Sequence, residues 1–151
     1  MSAQDGAPQK KQIDQYSFRL GSAAAFAEMV RFGNKKLALS SAVSPEEMEE
    51  LASDLEKVVS EQGTLVSLET DLIVTDLFPA DIAAGKHVML IYKHETTRDE
   101  YLKLKKDKEA LLRSGGYSGE ARKDIARRFG RLLSYPESTV EEKIRSNTTT
   151  R

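Results

Sequence analysis

The residue pattern predicts an α/β domain, with α+β as its variant: a small mixed β-sheet of three to four strands packed with about five helices, the C-terminal half mostly helical. Three observations carry this. Runs of strand length rich in Leu, Val, Ile and Thr alternate with stretches of three- and four-residue apolar spacing up to Lys93. One run, His87-Val88-Met89-Leu90-Ile91-Tyr92-Lys93, is almost unbroken in its apolar character, as a central strand covered on both faces is. Beyond it only helical spacing recurs, which supplies the helices that cover the sheet.

Each element has its own signal. Ser22 to Phe32 reads as a short helix with Ser22 as N-cap, Phe26, Met29 and Val30 on one side, and Gly33-Asn34 as a stop. Lys35 and Lys36 lead into a short strand, Leu37-Ala38-Leu39-Ser40. Ser44-Pro45-Glu46-Glu47 places a capping serine, a proline at the first helical position and a glutamate three residues after the cap. Behind it Met48, Leu51, Ala52, Leu55, Val58 and Val59 form an apolar stripe that ends at Gly63.

From Thr64 to Phe78, Val66, Leu68, Thr70, Leu72 and Val74 share one parity, so one bent strand or two short ones are expected before Pro79. Asp81 to Ala84 suits a single helical turn. The link from Leu77 to Lys86 favours an antiparallel return to the apolar strand. Thr97 with Glu100 forms a second capping box, opening a helix whose Tyr101, Leu104, Leu111 and Leu112 face inward. Ser114 to Gly119 breaks it. A helix over residues 120–133 buries Ala121, Ile125, Phe129, Leu132 and Leu133, and after Tyr135-Pro136 a brief last helix holds Val140 and Ile144.

At 151 residues the chain has the length of one domain, able to bury roughly two thirds of its unfolded surface. Residues 1–15 are polar and carry one hydrophobe, Ile13, so a flexible N-terminal tail is expected before a single domain over 16–146, with a polar tail at 147–151. The absence of cysteine removes disulfides, thiolate catalysis and cysteine-held metal, and suits a reducing, cytoplasmic setting. No run approaches the ~20 apolar residues of a membrane helix, so no membrane partner is expected.

Charge is unevenly placed. Between Glu46 and Leu90 eleven acids face two bases, a net of −9, whereas Ile91 to Arg131 holds twelve bases against seven acids, a net of +5. The two halves either attract each other across the domain or leave an anion-binding face.

No motif fixes a reaction. His94, beyond the end of the apolar strand and beside Glu95, is the candidate acid or base, with Glu95 orienting it and Arg98, Arg127 or Arg131 holding an anion. Lys123, Arg127 and Arg131 line up at four-residue spacing, and Tyr135 is an aromatic plug or platform beside them. His87 and His94 stand seven residues apart on one strand and so point to opposite faces, which speaks against a shared metal; no metal and no cofactor are expected. Ser41, Asp76 and His94 would gather only if the strands ran parallel. Gly115-Gly116-Tyr117-Ser118-Gly119 lacks a P-loop lysine and reads as an interhelical turn.

The function this supports is a non-catalytic cytosolic domain that binds an anionic small molecule or a protein partner, homo-oligomers included. Its rivals are a small enzyme acting on a phosphorylated or carboxylated metabolite through His94, and nucleic-acid binding through the basic helix 120–133. Glu137, Glu141 and Glu142 on the following helix weigh against the last.

Overall fold

The structure, a computed structural model, describes residues 10–149. In chain order it holds α1 (Gln15–Arg31), β1 (Leu37–Leu39), α2 (Pro45–Ser60), β2 (Leu65–Glu69), α3 (Ala80–Ala83), β3 (Val88–Tyr92), α4 (Glu95–Ser114), α5 (Gly119–Leu132) and α6 (Glu137–Thr149). The strand order is β1-β3-β2, and both pairings are antiparallel, with Leu37 opposite Tyr92 and Leu65 opposite the same residue from the other side. The apolar run at 88–92 is therefore the central strand, and the return across 77–86 is antiparallel as favoured.

Every residue of β3 is buried because both sheet faces are covered. Ala38, Met89 and Ile91 pack under α1 and α2 in one core; Leu37, Val88, Leu90 and Tyr92 point the other way into a second core with Tyr101, Leu104, Ile125, Phe129 and Ile144. Period-two alternation sends neighbours along β3 to opposite layers, which makes its pattern continuous instead of alternating. The result is a three-layer helix–sheet–helix domain.

Several expected boundaries are corrected. α1 begins at Gln15, capped by Asp14, whose carboxylate accepts from the Tyr16 N–H at 3.1 Å; Ser22 lies inside the helix. Its inward face is Ala23, Ala27 and Val30, while Phe26 and Met29 are exposed. Small alanines let α1 lie close to the sheet, so the bulky residues are turned outward. α4 begins at Glu95 with His94 as N-cap; Thr97 is buried inside its first turn and does not cap it. Leu112 is exposed.

The span 70–79 is a loop, not a strand. Its apolar residues Leu72, Ile73 and Leu77 are buried, the last two outside the parity expected to face inward, and its backbone is satisfied by side chains instead of a ladder. Ile73 N–H donates to the Tyr101 hydroxyl (3.1 Å), Lys105 Nζ donates to the Asp71 carbonyl (2.7 Å), and Asn147 donates to the Asp76 carbonyl (2.6 Å). That last contact comes from within α6, which runs on through Asn147 where a polar tail was expected. Of the two expected tails, residues 1–9 and 150–151 lie outside the described residues.

Candidate functional site

The geometry gathers around the α5–α6 corner. α5 ends at Leu133 with Ser134 in the left-handed conformation (φ 61°). Ser134 N–H donates to the Arg131 carbonyl (3.0 Å) and Tyr135 N–H to the Gly130 carbonyl (2.9 Å), the paired bonds of a Schellman ending. This fixes the backbone from which the Tyr135 ring projects. The corner is also pinned to the entry of β1: Lys36 N–H donates to Ser134 Oγ (3.0 Å) and Lys35 Nζ to the Leu133 carbonyl (2.7 Å).

Beside this joint lies a cavity of about 260 Å³. It is lined by Leu39 of β1, Ser40 just beyond it and Val88 of β3, by Leu72 and Phe78 from the 70–79 loop, and by Leu133, Phe26, Ile82 and Tyr135. Lys35 is the one charged residue in this lining. Its ammonium sits 4.8 Å from the centre of the Tyr135 ring and 6.0 Å from that of Phe26, both within cation–π range. Burial holds its pKa below the ordinary lysine value. Burial likewise raises that of the Tyr135 phenol. Ser40 is buried and accepts from the Met89 N–H at 2.7 Å, which leaves its hydroxyl proton for a second partner.

Such a lining, apolar nearly throughout with one cation and the hydroxyls of Ser40 and Tyr135, is the usual composition of a small-molecule pocket, though its volume falls just below the usual range of about 300–1,000 Å³. It suits an apolar body ending in a carboxylate. Two further concavities flank it. One, of about 320 Å³, has Arg127, Arg131, Glu137, Val140 and Glu141 around the other side of Tyr135. The second, of about 310 Å³, is basic, with Lys36, Lys103, Arg128 and Arg131 beside Glu100.

The structure thus brings together three of the expected ligand-binding residues, Arg127, Arg131 and Tyr135. Arg127 is held within the molecule by Glu141 (2.6 Å) and Glu120 (3.0 Å), and Lys123 lies 3.8 Å from Glu120. Arg131 makes no ion pair among the described residues. His94 and Glu95 are exposed at the start of α4, Arg98 lies one turn on, and none of the three lines the cavity beside Lys35 or the two that flank it. Antiparallel pairing of β1 with β3 carries Ser41 towards His87, at the opposite end from His94, and Asp76 is held by Arg122, so the serine, acid and histidine set does not assemble. Gly115 closes α4 in the left-handed region (φ 74°), and residues 115–118 form an interhelical turn.

Lys35, Ser40 and Phe26 were not distinguished as site residues by the sequence. The only local trace of Lys35 is a charge placed directly before a strand, which many surface lysines share. No group of three or more His, Asp or Glu among the described residues is arranged to hold a metal ion, and no helix among them is long and apolar enough to cross a membrane. Compared with protein-family models, curated proteins and solved structures, the chain matches none of them.

Proposed function

We propose that this chain is a non-catalytic cytoplasmic binding domain for a small amphipathic carboxylate. The ligand's apolar body fills the cavity between α1, β1 and the α5–α6 corner; its carboxylate meets Lys35, and Ser40 Oγ donates to the ligand. The observation that carries this is the Lys35 ammonium, half-buried among apolar side chains and holding one hydrogen-bond acceptor where it has three protons to give. A carboxylate there supplies a charge-assisted bond of about 1.5–3 kcal/mol, or roughly 10- to 100-fold in affinity. The basic surroundings of Arg131 and Lys36 draw the same sign of charge towards the mouth.

The test is a thermal-shift and titration series with decanoate and its uncharged amide, on the wild-type chain and on Lys35→Met. Decanoate is expected to raise the melting temperature of the wild type and to bind about ten times or more tightly than the amide, with that difference gone in Lys35→Met. Equal binding of acid and amide by the wild type would overturn the reading.

A further inference from the structure

The outer face of α1 carries a row of exposed apolar side chains. Phe18, Met29 and Phe32 are 57%, 42% and 68% exposed, and with the exposed Ala25 they follow the 18, 25, 29, 32 spacing of one helical stripe. The stripe runs over about 21 Å of helix. A helix apolar on both its inner and its outer side is normally covered on both. Residues 1–9, Met-Ser-Ala-Gln-Asp-Gly-Ala-Pro-Gln, have no bulky side chain other than Met1 with which to cover it.

We infer that a second copy of this chain covers this stripe, with the two α1 helices packed antiparallel about a two-fold axis at Ala25. In that arrangement each residue lies opposite the one as far beyond Ala25 as it lies before it. Phe18 then faces Phe32 of the other copy, Met29 covers Gly21, where a side chain would meet nothing within 4 Å, and Ala25 faces itself. The stripe is thus self-complementary, ring against ring at its two ends and thioether against glycine between them, as an isologous interface requires.

Charge supports the same pairing. At the N-terminal end of α1, Arg19 holds Glu47 (2.6 Å), and Tyr16 donates to Asp54 and to the Glu50 carbonyl, so the acidic N-terminal part of α2 flanks this end. At the C-terminal end stand Arg31, Lys35 and Lys93, whose Nζ donates to the Arg31 carbonyl (3.3 Å). Arg19 and Phe26 are seven residues apart and so share a flank of the helix, which puts Glu47 and the Phe26 neighbour Lys35 along one side at opposite ends. An antiparallel pair lays the acidic end of each copy on the basic end of the other. A parallel pair would stack like on like.

The chain has no cysteine, which gives a direct test. Wild-type protein at about 100 μM should sediment at twice the 16.8 kDa chain mass and dissociate on dilution. Ala25→Cys should oxidise to a covalent dimer under a mild oxidant, whereas Glu109→Cys, exposed on the remote helix α4, should remain a single chain. Ala25→Glu, which sets two glutamates face to face, should raise the dissociation constant at least about tenfold with its circular dichroism unchanged. Should Ala25→Glu fail to fold, the cysteine pair still decides. A 16.8 kDa species throughout, equal crosslinking by both cysteine variants, or monomers that float with phosphatidylcholine vesicles would each overturn the proposal.

Discussion

Asp76 is 1% exposed, and Arg122 reaches it with two parallel bonds, Nε to Oδ2 at 2.9 Å and an Nη to Oδ1 at 2.8 Å, while its guanidinium lies over the Tyr117 ring. Removing one member of a buried pair leaves a charge in a poor solvent and typically costs about 3–5 kcal/mol. Arg122→Met is therefore expected to lower unfolding free energy by about 3 kcal/mol in urea melts, and Asp76→Leu with Arg122→Met to recover much of it; equal losses in single and double variants would show that the pair is not the cause. The same physics explains which residues sequence reasoning could rank. His94 attracts notice because histidine is a common acid or base in catalysis, but its exposure is settled by the layers around it. Lys35 is indistinguishable from Lys36 in the run Gly33-Asn34-Lys35-Lys36 until Phe26 and Tyr135 arrive on either side, the second from 100 residues away.

Helices declare themselves where one face is polar. α2 and α5 are strongly two-faced, and their cores, Met48, Leu51, Leu55 and Val59 in one and Ile125, Phe129 and Leu132 in the other, are those expected from spacing. The Ser44 capping box is present in full, Ser44 Oγ accepting from the Glu47 N–H (3.2 Å) and Glu47 from the Ser44 N–H (3.1 Å). α1 lacks such contrast, so spacing alone does not mark its start at Gln15. The join between α5 and α6 depends on a different feature: a Cβ at Gly130 would lie 2.4 Å from a Val140 methyl. Gly130→Ala gains about 1 kcal/mol of helix propensity but overpacks the crossing, so a net loss of about 1–2 kcal/mol is expected. Adding Val140→Ala should restore part of it. A thermal melt in which Gly130→Ala is more stable than wild type would show that the helices simply separate.

Across the molecule, the acidic and basic halves are tied to each other by Lys105–Glu69 (2.9 Å) and Arg122–Asp76 (2.8 Å), the first bridging the end of β2 and the second the 70–79 loop to the helical layer. Burial alone would push Glu69 up, yet the Tyr101 hydroxyl, the Asp71 N–H and the Lys105 ammonium hold its carboxyl below the ordinary range. Hydrogen bonds and charges likewise lower Glu47, Asp107 and Glu141. For a carboxylate whose folded pKa lies below its unfolded one, the added stability is complete above the unfolded value and is lost as pH falls through the folded one. The melting temperature should therefore be level from about pH 7 to 5.5 and fall below about pH 4.5, with a lower plateau and a shallower acid slope in Glu69→Gln. An acid slope unchanged in that variant would place the loss elsewhere.

Local chemistry determined much of the design: a strand apolar on both faces, a capped amphipathic helix before it, a helical second half, and opposite charge in the two halves are all one-dimensional patterns, set by periodicity and by the side chains themselves. Only the tertiary structure decided that 70–79 is a loop bound by side chains and that α1 turns its phenylalanines outward. It also decided that an unremarkable lysine lines an apolar cavity while the histidine lies in open solvent. Burial is a property of the surroundings, and here the surroundings come from residues far apart in the chain.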